Sequence, residues 1–424
     1  MLDINYIREN PEELKQAIAD KQMDPAIVDR VLELDNKRRD LIAKVEAIRK
    51  DANAHNATIK GRKPTDEEIA TGKAFKTKLQ NLEPDLKQIE DEFNKLMLYV
   101  PNPASSDTPV GKDESSNVEV RKVGKIREFD FQPKEHWELA ENLGMFDSER
   151  AVAIGGRRAY ILKGDLFLLE QALLQYAMQL MIQKGFTPMS VPWMVNKEAL
   201  WGTGYFPWGI EDHYTTQDDQ GLIGTAEVSL TAYHQNEILN EKDLPIKLVG
   251  ISPCFRREVG SYGKDTKGFF RVHQFTKVEQ VVLTVADEDL TKEWHEKMVG
   301  FSEELLQALD LPYHVLAMCT GDMGAGQRKK YDIEVWFPGQ KVYRETHSAS
   351  YFNDFQARRL NMKYRAKDGS VKHVYTLNNT VAATPRLLAA VIENYQQADG
   401  TIKVPEVLQR WMQNDIIAQI KGEV

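Results

Sequence analysis

Between Val31 and Val100 the apolar residues keep one spacing, and it leaves the chain few options. Steps of three and four alternate through Val31, Leu34, Arg38, Leu41, Val45, Ile48, Ala52, His55 and Ile59. A second run follows at Phe75, Leu79, Leu82, Leu86, Ile89, Phe93, Leu96 and Val100. A 3.5-residue repeat held for about four heptads is the seam of a coiled coil. Between the runs, Lys60-Gly61-Arg62-Lys63-Pro64 is a turn, and Thr65 with Glu68 three residues on is a capping box. Two seams joined by a short turn predict an antiparallel helical hairpin over about residues 27–100. At ~1.5 Å per residue, its length comes to ~45 Å or more. Arg38 and His55 interrupt the seam, and Pro84 inside the second helix is expected to bend it.

Heptads alone fit a dimerisation or spacer element. The charges narrow this. From Lys37 to Lys78 there are twelve Lys/Arg against six Asp/Glu, a basic excess inside a chain of net charge −9. Arg49, Lys50, Lys60, Arg62, Lys63, Lys73, Lys76 and Lys78 all lie toward the turn. A basic stripe on an arm is the electrostatic footprint of a partner with a phosphate backbone. The acidic total argues against wholesale coating of nucleic acid, but screening beyond ~8–10 Å lets one basic element act locally.

Around the arm, the 424 residues suffice for two or three domains, and 42% hydrophobic with 28% charged residues is the balance of a soluble globular protein. No apolar stretch approaches the ~20 residues of a membrane span, and MLDINYIREN carries charge where a signal peptide needs its apolar run. Two cysteines, Cys254 and Cys319, cannot make a disulfide scaffold, so a reduced, cytoplasmic setting is expected. Asn10-Pro11-Glu12-Glu13 opens a short capped helix before the arm. Pro101 to Pro109 is a Pro/Ser-rich stretch that predicts a linker over 101–117, separating an N-terminal domain, 1–100, from a second domain, 118–424. In that second part, Ile246–Ile251 and Val278–Val285 predict strands, and Phe167–Ile182 and Leu387–Tyr395 predict helices.

Several chemistries are excluded. There is no H-E-x-x-H, too few cysteines for a zinc knuckle, no G-x-x-x-x-G-K-[ST], no strand-linked G-x-G-x-x-G and no G-x-S-x-G. Gly321-Asp322-Met323-Gly324-Ala325-Gly326 reads as a tight turn, and Cys254 as a small buried hydrophobe. What remains is a group of arginines and carboxylates on expected strands. Cys254-Phe255-Arg256-Arg257-Glu258 leads into a loop, Val259 to Gly268, and the chain returns through Phe269 to Glu279. Alternation along a hairpin aims Arg256 and Glu258 to one side, and Phe275, Lys277 and Glu279 likewise. That surface offers a guanidinium for a phosphate, an aromatic face for a base, and carboxylates for an amine or hydroxyl.

The run Phe255-Arg256-Arg257-Glu258-Val259-Gly260 through His273-Gln274-Phe275 resembles motif 2 of the class II aminoacyl-tRNA synthetases, and most closely the seryl-tRNA synthetases. Thr225-Ala226-Glu227 resembles that family's T-x-E serine-binding loop, and Gly185-Phe186-Thr187-Pro188 through Pro192 resembles motif 1, which carries the dimer interface. Tyr331 to Trp336, Asp354 to Arg359, Glu393 to Gln396 and Val404 to Leu408 are similar to family signatures in matching order. The resemblance spans essentially the whole chain, arm included. It implies an α+β fold: an antiparallel sheet of six or seven strands forming a class II catalytic domain, preceded by a coiled-coil arm that binds tRNA. It implies a cytoplasmic homodimer in which one subunit's arm reaches the tRNA charged on the other. The implied reaction joins L-serine to tRNA(Ser) through seryl-adenylate, with ATP cleaved to AMP and pyrophosphate. tRNA(Sec) stays open as a second acceptor.

The same resemblance implies residue roles. Arg256, Glu345 and Arg386 are the catalytic set, and Thr225, Ala226, Glu227, Arg256, Glu279, Asn378 and Thr380 surround serine. Arg256, Arg257, Glu258, Val272, Phe275, Glu345, Thr346, His347, Ser348 and Arg386 form the ATP site, with Arg256 bridging the α-phosphate and the serine carboxylate and adenine on Phe275. Glu345 and Ser348 hold Mg2+, and no zinc is expected. The sequence departs from the bacterial pattern at Glu345-Thr346-His347-Ser348-Ala349-Ser350, which leaves Thr346 and His347 without a defined role. It also departs at Ala382-Ala383-Thr384-Pro385-Arg386, which lacks the usual glycines, and at Thr380, which stands where Ser is common. The methanogen type with zinc-bound serine does not fit a chain with two cysteines and this arm. A non-catalytic paralogue, binding RNA or protein through the arm, is the alternative; the retained Arg256, Glu258, Glu345 and Arg386 argue against it.

Overall fold

The computed structural model describes residues 1–260 and 267–419. It has two compact units, Met1–Pro101 and Asn102–Val424. The expected loop Val259 to Gly268 lies partly outside the described residues, since 261–266 fall in it.

In the first unit, α1 (Ile4–Glu9) and α2 (Pro11–Asp20) precede the two long helices α3 (Ala26–Ile59) and α4 (Asp66–Met97). Every seam position of both runs is buried or half-buried. The capping box is formed: Thr65 Oγ1 accepts from Glu68 N at 3.2 Å, and Thr65 N donates to Glu68 Oε2 at 2.8 Å. Such a cap stabilises a helix end by about 1 kcal/mol. The irregular seam residues have partners of their own. Arg38 lies 4.3 Å over the Phe93 ring, and His55 packs on Phe75 at 6.0 Å. At the arm's base the buried Asp35 accepts from Arg8 at 2.7 Å and from Arg38 at 2.9 Å. α4 runs as one helix through Pro84. That proline is exposed, on the solvent side of the helix, where the carbonyl it leaves without an intrahelical donor is open to solvent.

The second unit is built on one eight-stranded sheet, more strands than the six or seven expected. Its strands are β1 (Val118–Val123), β2 (Thr187–Met189), β3 (Ile246–Phe255), β4 (Gln274–Thr284), β5 (Tyr313–Ala317), β6 (Lys329–Phe337), β7 (Val342–Asn353) and β8 (Tyr375–Ala383). They lie in the order β1-β5-β6-β7-β8-β4-β3-β2. Every ladder is antiparallel except the last, where β2 runs parallel to β3. The parallel edge follows from how α5 (Gly164–Gln183) ends. Gly185 at φ +79° donates to Ile182 O while Phe186 donates to Met181 O, a Schellman stop that turns the chain onto the sheet.

β4 shows how the sheet divides the unit. Val278 and Val282 belong to the main core, and Gln280 Nε2 donates to Met298 O of α7 (Glu288–Ala308). α5, α7 and α8 (Arg386–Asn394) supply most of that core's helical side chains; Leu387, Leu388, Val391 and Ile392 are fully buried. Burying such a side chain contributes about 1.5–3 kcal/mol. Val281 and Leu283 face a second core with Leu230 and Leu248, and the same face carries Lys277 and Glu279. The Pro/Ser-rich stretch is fixed to this unit. Asn102 Nδ2 donates to Gly326 O and Phe352 O at 3.0 and 2.9 Å, and Ser105 N to Arg328 O at 2.7 Å.

Candidate active site

A cavity of about 280 Å³ opens on the face of the sheet that carries Lys277. It is lined by Arg256, Arg271, Lys277, Lys330 and Arg386 against the carboxylates of Glu227, Glu258 and Glu345, an excess of positive charge suited to a polyanion.

At one end lies a carboxylate cluster. Glu227 begins α6 (Glu227–Ala232), and its N–H is held by Thr225 Oγ1 at 3.2 Å. Its carboxylate accepts from Tyr205 Oη at 2.7 Å, from Gln356 Nε2 at 2.9 Å and from Asn378 Nδ2 at 2.8 Å. Asn378 Nδ2 also donates to Glu279 Oε1 at 3.1 Å, so one amide bridges two carboxylates. Thr380 Oγ1 and Lys277 Nζ reach Glu279 Oε2 at 3.3 and 2.5 Å. Burial pushes the Glu227 carboxyl up to about 7, Tyr205 and Gln356 hold it down, and nearby Glu279 adds to the rise. The carbonyl oxygen of Asn378 has no partner, although it is buried. An acceptor without a donor, beside two carboxylates, is the chemistry of an ammonium site.

At the other end are the arginines. The chain leaves β3 at Phe255, so Arg256 and Glu258 lie beyond the strand and not along it as alternation suggested. Glu258 sits at φ +53° and accepts from Arg271 at 2.8 Å. Arg256 Nε donates to Gly224 O at 3.3 Å, and its guanidinium stands 5.3 Å from the Phe275 ring centre. Arg386 Nη1 bonds both the carbonyl and Oε2 of Glu345 at 3.0 Å. Burial would lift the Glu345 carboxyl, but the charges of Arg386, Lys330 and Arg256 hold it below the ordinary carboxylate range.

Two bulges shape the floor. Glu345 pairs with Glu334 and His347 with Ile333, so Thr346 is an extra residue in β7. Past a bulge the facing parity reverses, which is why Glu345 and Ser348, three apart, line one cavity. In β8, Thr380 pairs with Glu279 and Ala382 with Val278, leaving Val381 as the extra residue. His347 ties the bulges together: its Nε2 bonds Val381 O at 3.0 Å, and its Nδ1 lies 2.8 Å from Thr346 Oγ1. Burial lowers His347 to about 4, so the ring is neutral, donating at Nε2 and accepting at Nδ1.

The cavity thus brings together Glu227, Arg256, Glu258, Val272, Phe275, Glu345, Thr346, His347, Ser348, Asn378, Thr380 and Arg386, with Glu279 bonded just beneath. Thr225 and Ala226 are buried behind Glu227 and do not line it. Arg257 turns away, donating to Glu211 O at 2.9 Å. Sequence reasoning gave no part to Tyr205, Phe270, Arg271, Gln327 or Lys330, which all line it, or to Gln356 behind Glu227. Phe270 and Arg271 lay inside the motif 2 run, Gln356 inside the Asp354 to Arg359 signature and Lys330 beside Tyr331, whereas Tyr205 and Gln327 had no signal. The arm residues Arg49, Lys50, Lys60, Arg62, Lys63, Lys73, Lys76 and Lys78 are all exposed in the first unit; Arg49 pairs with Glu83, and Arg62 with Glu68 at the turn. No helix among the described residues is long and apolar enough to cross a membrane.

Comparison with known proteins agrees along the length of the chain. Residues 1–104 match the seryl-tRNA synthetase N-terminal domain, and residues 211–395 match the class II tRNA synthetase core domain shared by the G, H, P, S and T enzymes. A serine--tRNA ligase of Deinococcus radiodurans is 44% identical over 421 residues, covering 97% of each chain. The Pyrococcus horikoshii seryl-tRNA synthetase, solved with ATP, superposes with a TM-score of 0.93 at 39% identity, covering 99% of this chain and 100% of that one. The cytoplasmic serine-tRNA ligase of Naegleria fowleri, solved with AMP, gives 0.89 at 35%, covering 100% and 99%. Domain order, sheet and arm agree throughout, and the chain belongs to the seryl-tRNA synthetase family of class II aminoacyl-tRNA synthetases.

Proposed function

We propose that this chain activates L-serine with ATP and transfers it to the 3′-terminal adenosine of tRNA(Ser). The observation that carries this is one cavity with two ends: the Glu227–Asn378–Glu279 cluster beside the Arg256, Glu345 and Arg386 group. A carboxylate oxygen of serine attacks the α-phosphorus, the bond to the β-phosphate oxygen breaks, and pyrophosphate leaves. A ribose hydroxyl of the tRNA then attacks the serine carbonyl, and AMP leaves. No protein nucleophile is needed, so the protein contributes positioning and charge stabilisation.

Arg256 bridges the α-phosphate and the serine carboxylate. Arg386 meets the terminal phosphates. Phe275 stacks adenine, Glu258 meets its amino group, and the backbone at Val272 borders it. Glu227, Asn378, Glu279 and Thr380 take the ammonium and hydroxyl of serine, with Thr225 and Ala226 shaping the turn behind Glu227. The ionised Glu345 and the hydroxyl of Ser348, brought to one face by the bulge, form a donor set that suits Mg2+ arriving with ATP. That ion would neutralise charge on the phosphates. Residues 1–100 bind tRNA through the basic arm, residues 118–424 carry the chemistry, and tRNA(Sec) is a candidate second acceptor. The protein works as a cytoplasmic homodimer, and exposed Phe167, Ile182, Trp193 and Met194, on and after α5, are candidates for its interface.

Serine-dependent ATP–pyrophosphate exchange tests the reading directly. Absence of exchange with folded, full-length protein would leave only an arm-binding paralogue, which nothing in the cavity favours. Two further outcomes are expected. Glu279→Ala raises the KM for serine about 10–100-fold, the scale of a lost bond to a charged group, while the KM for ATP holds. An unchanged serine KM removes Glu279 from the amino-acid site. The second concerns pH. A carboxyl with a raised pKa is protonated below it, and the serine ammonium favours the ionised form. Serine affinity therefore weakens as pH falls through about 7, and Glu227→Gln flattens that dependence. A wild-type serine KM level between pH 6 and pH 8 contradicts it.

A further inference from the structure

Lys277 has no part in the reaction set out above, yet few lysines are placed as it is. Its side chain is only 7% exposed, and it lines the cavity. Lys277 and Glu279 are two apart on β4 and share a face, so the ammonium leans along the strand to the carboxylate, 2.5 Å from Oε2. It lies 3.5 Å from Thr380 Oγ1, and Thr380 itself donates to Glu279 Oε2 at 3.3 Å. Glu279 is fully buried and does not line the cavity, whereas Lys277, Thr380 and Asn378 do. Around that carboxylate, the cavity wall offers a cation, a hydroxyl and an amide carbonyl.

An ammonium carries three N–H donors and no acceptor. One of them meets Glu279 and a second is directed at Thr380, which leaves the third for the cavity. A small amino acid whose own ammonium sits between Glu227 and the unpartnered Asn378 Oδ1 carries its side chain along the same wall. A hydroxyl there completes two bonds: its oxygen accepts from Lys277, and its hydrogen goes to the carboxylate or to Thr380. A methyl completes neither and leaves a buried cation facing carbon, which costs far more than the missing contact.

We propose that Lys277 is a specificity-determining residue that reads the side-chain oxygen of the amino acid. It selects a hydroxyl-bearing substrate over alanine from the cavity wall, while Glu279 behind it holds the ammonium in place. The proposal rests on the serine reading of this cavity, and the two fail differently. Wild-type protein without serine-dependent exchange overturns the serine reading; the Lys277 assignment is judged by selectivity.

The test is calorimetric titration of the full chain with the sulfamoyl-adenosine analogues of seryl- and alanyl-adenylate. Both bind without turnover. Wild type favours the seryl analogue. In Lys277→Met the ratio of the two Kd values narrows at least about tenfold, with the alanyl analogue's Kd nearly unchanged. Equal weakening of both analogues overturns the proposal, because a lysine that only holds the pocket together affects both alike. An unchanged ratio overturns it too. Because Lys277→Met leaves Glu279 without its cation, Lys277→Gln, which keeps a shorter donor, is measured beside it with the melting temperature of each. If only the glutamine variant keeps the wild-type melting temperature, its ratio is decisive: partial narrowing supports the assignment, and a wild-type ratio ends it.

Discussion

Replacing Arg256 by lysine is expected to lower the rate of seryl-adenylate formation at least about 10²-fold, comparable to deleting one preorganised donor of a stabilising site. The charge survives the change, but the planar fork does not. Arg256 stands between Gly224 O, at 3.3 Å from Nε, and the Phe275 ring, 5.3 Å from its centre. The carbonyl fixes one edge of the guanidinium and the ring faces it, leaving the outer nitrogens to hold two different oxygen groups, the α-phosphate and the attacking carboxylate. An ammonium on a flexible stem is a point charge that can neutralise but not align two oxygens. Stopped-time pyrophosphate exchange, with serine and ATP both saturating, makes the measurement. The KM for ATP should move less than kcat, since alignment matters most when the new bond is forming. Near-normal exchange in the lysine variant would mean that Arg256 supplies charge alone and the bridge between the substrates is elsewhere.

Local periodicity carried the parts of this protein that were legible in its sequence. The seam of α3 and α4 and the Thr65–Glu68 box involve neighbours a few residues apart, and all formed as written. Strand alternation also placed Lys277 and Glu279 on one face. It failed where the backbone leaves ideal geometry. The extra residues Thr346 and Val381 reverse parity within β7 and β8, and no pattern of residue types announces a bulge. Glu258 reaches the cavity through a left-handed turn beyond the strand end. The roles of Tyr205 and Gln356 were hidden for another reason, although Gln356 lies within a recurring motif. Their bonds to Glu227 join segments far apart in sequence, and neither tyrosine nor glutamine is a type that draws notice by itself. Thr346 and His347, given to the ATP site without a role, acquire one only through tertiary contacts, as the strut across two bulges. Residue chemistry suggested which groups would act, but their placement depended on departures from regular structure.

Removing residues 41–89 and closing the gap with a short Gly/Ser turn is expected to abolish tRNA charging while serine-dependent exchange persists. Every residue proposed for adenylate chemistry lies beyond residue 224, in the unit Asn102–Val424, whose core is its own. The cut points follow from the arm's base. Asp35 is buried between Arg8 and Arg38, and Arg38 lies over Phe93, so a deletion reaching residue 35 would remove Arg38 with Asp35, leave Arg8 without its carboxylate and open the fold of the first unit. Cutting beyond this anchor keeps it intact. The deletion removes Arg49, Lys50, Lys60, Arg62, Lys63, Lys73, Lys76 and Lys78 together, all exposed. Of these, Arg62 is partly engaged in the turn by Glu68, and Arg49 by Glu83. Intact protein should charge tRNA with a steep inverse dependence on salt, because each phosphate neutralised releases counterions, and single substitutions should flatten that slope unequally. Lys60 and Lys63, exposed at the turn, should flatten it more than Arg62, whose guanidinium already has a carboxylate. Both reactions are measured on the truncated protein. Equal loss of exchange and charging would make the arm a support for the catalytic unit, and retained charging would make it a spacer. Loss of charging alone leaves the arm as the element that holds the tRNA.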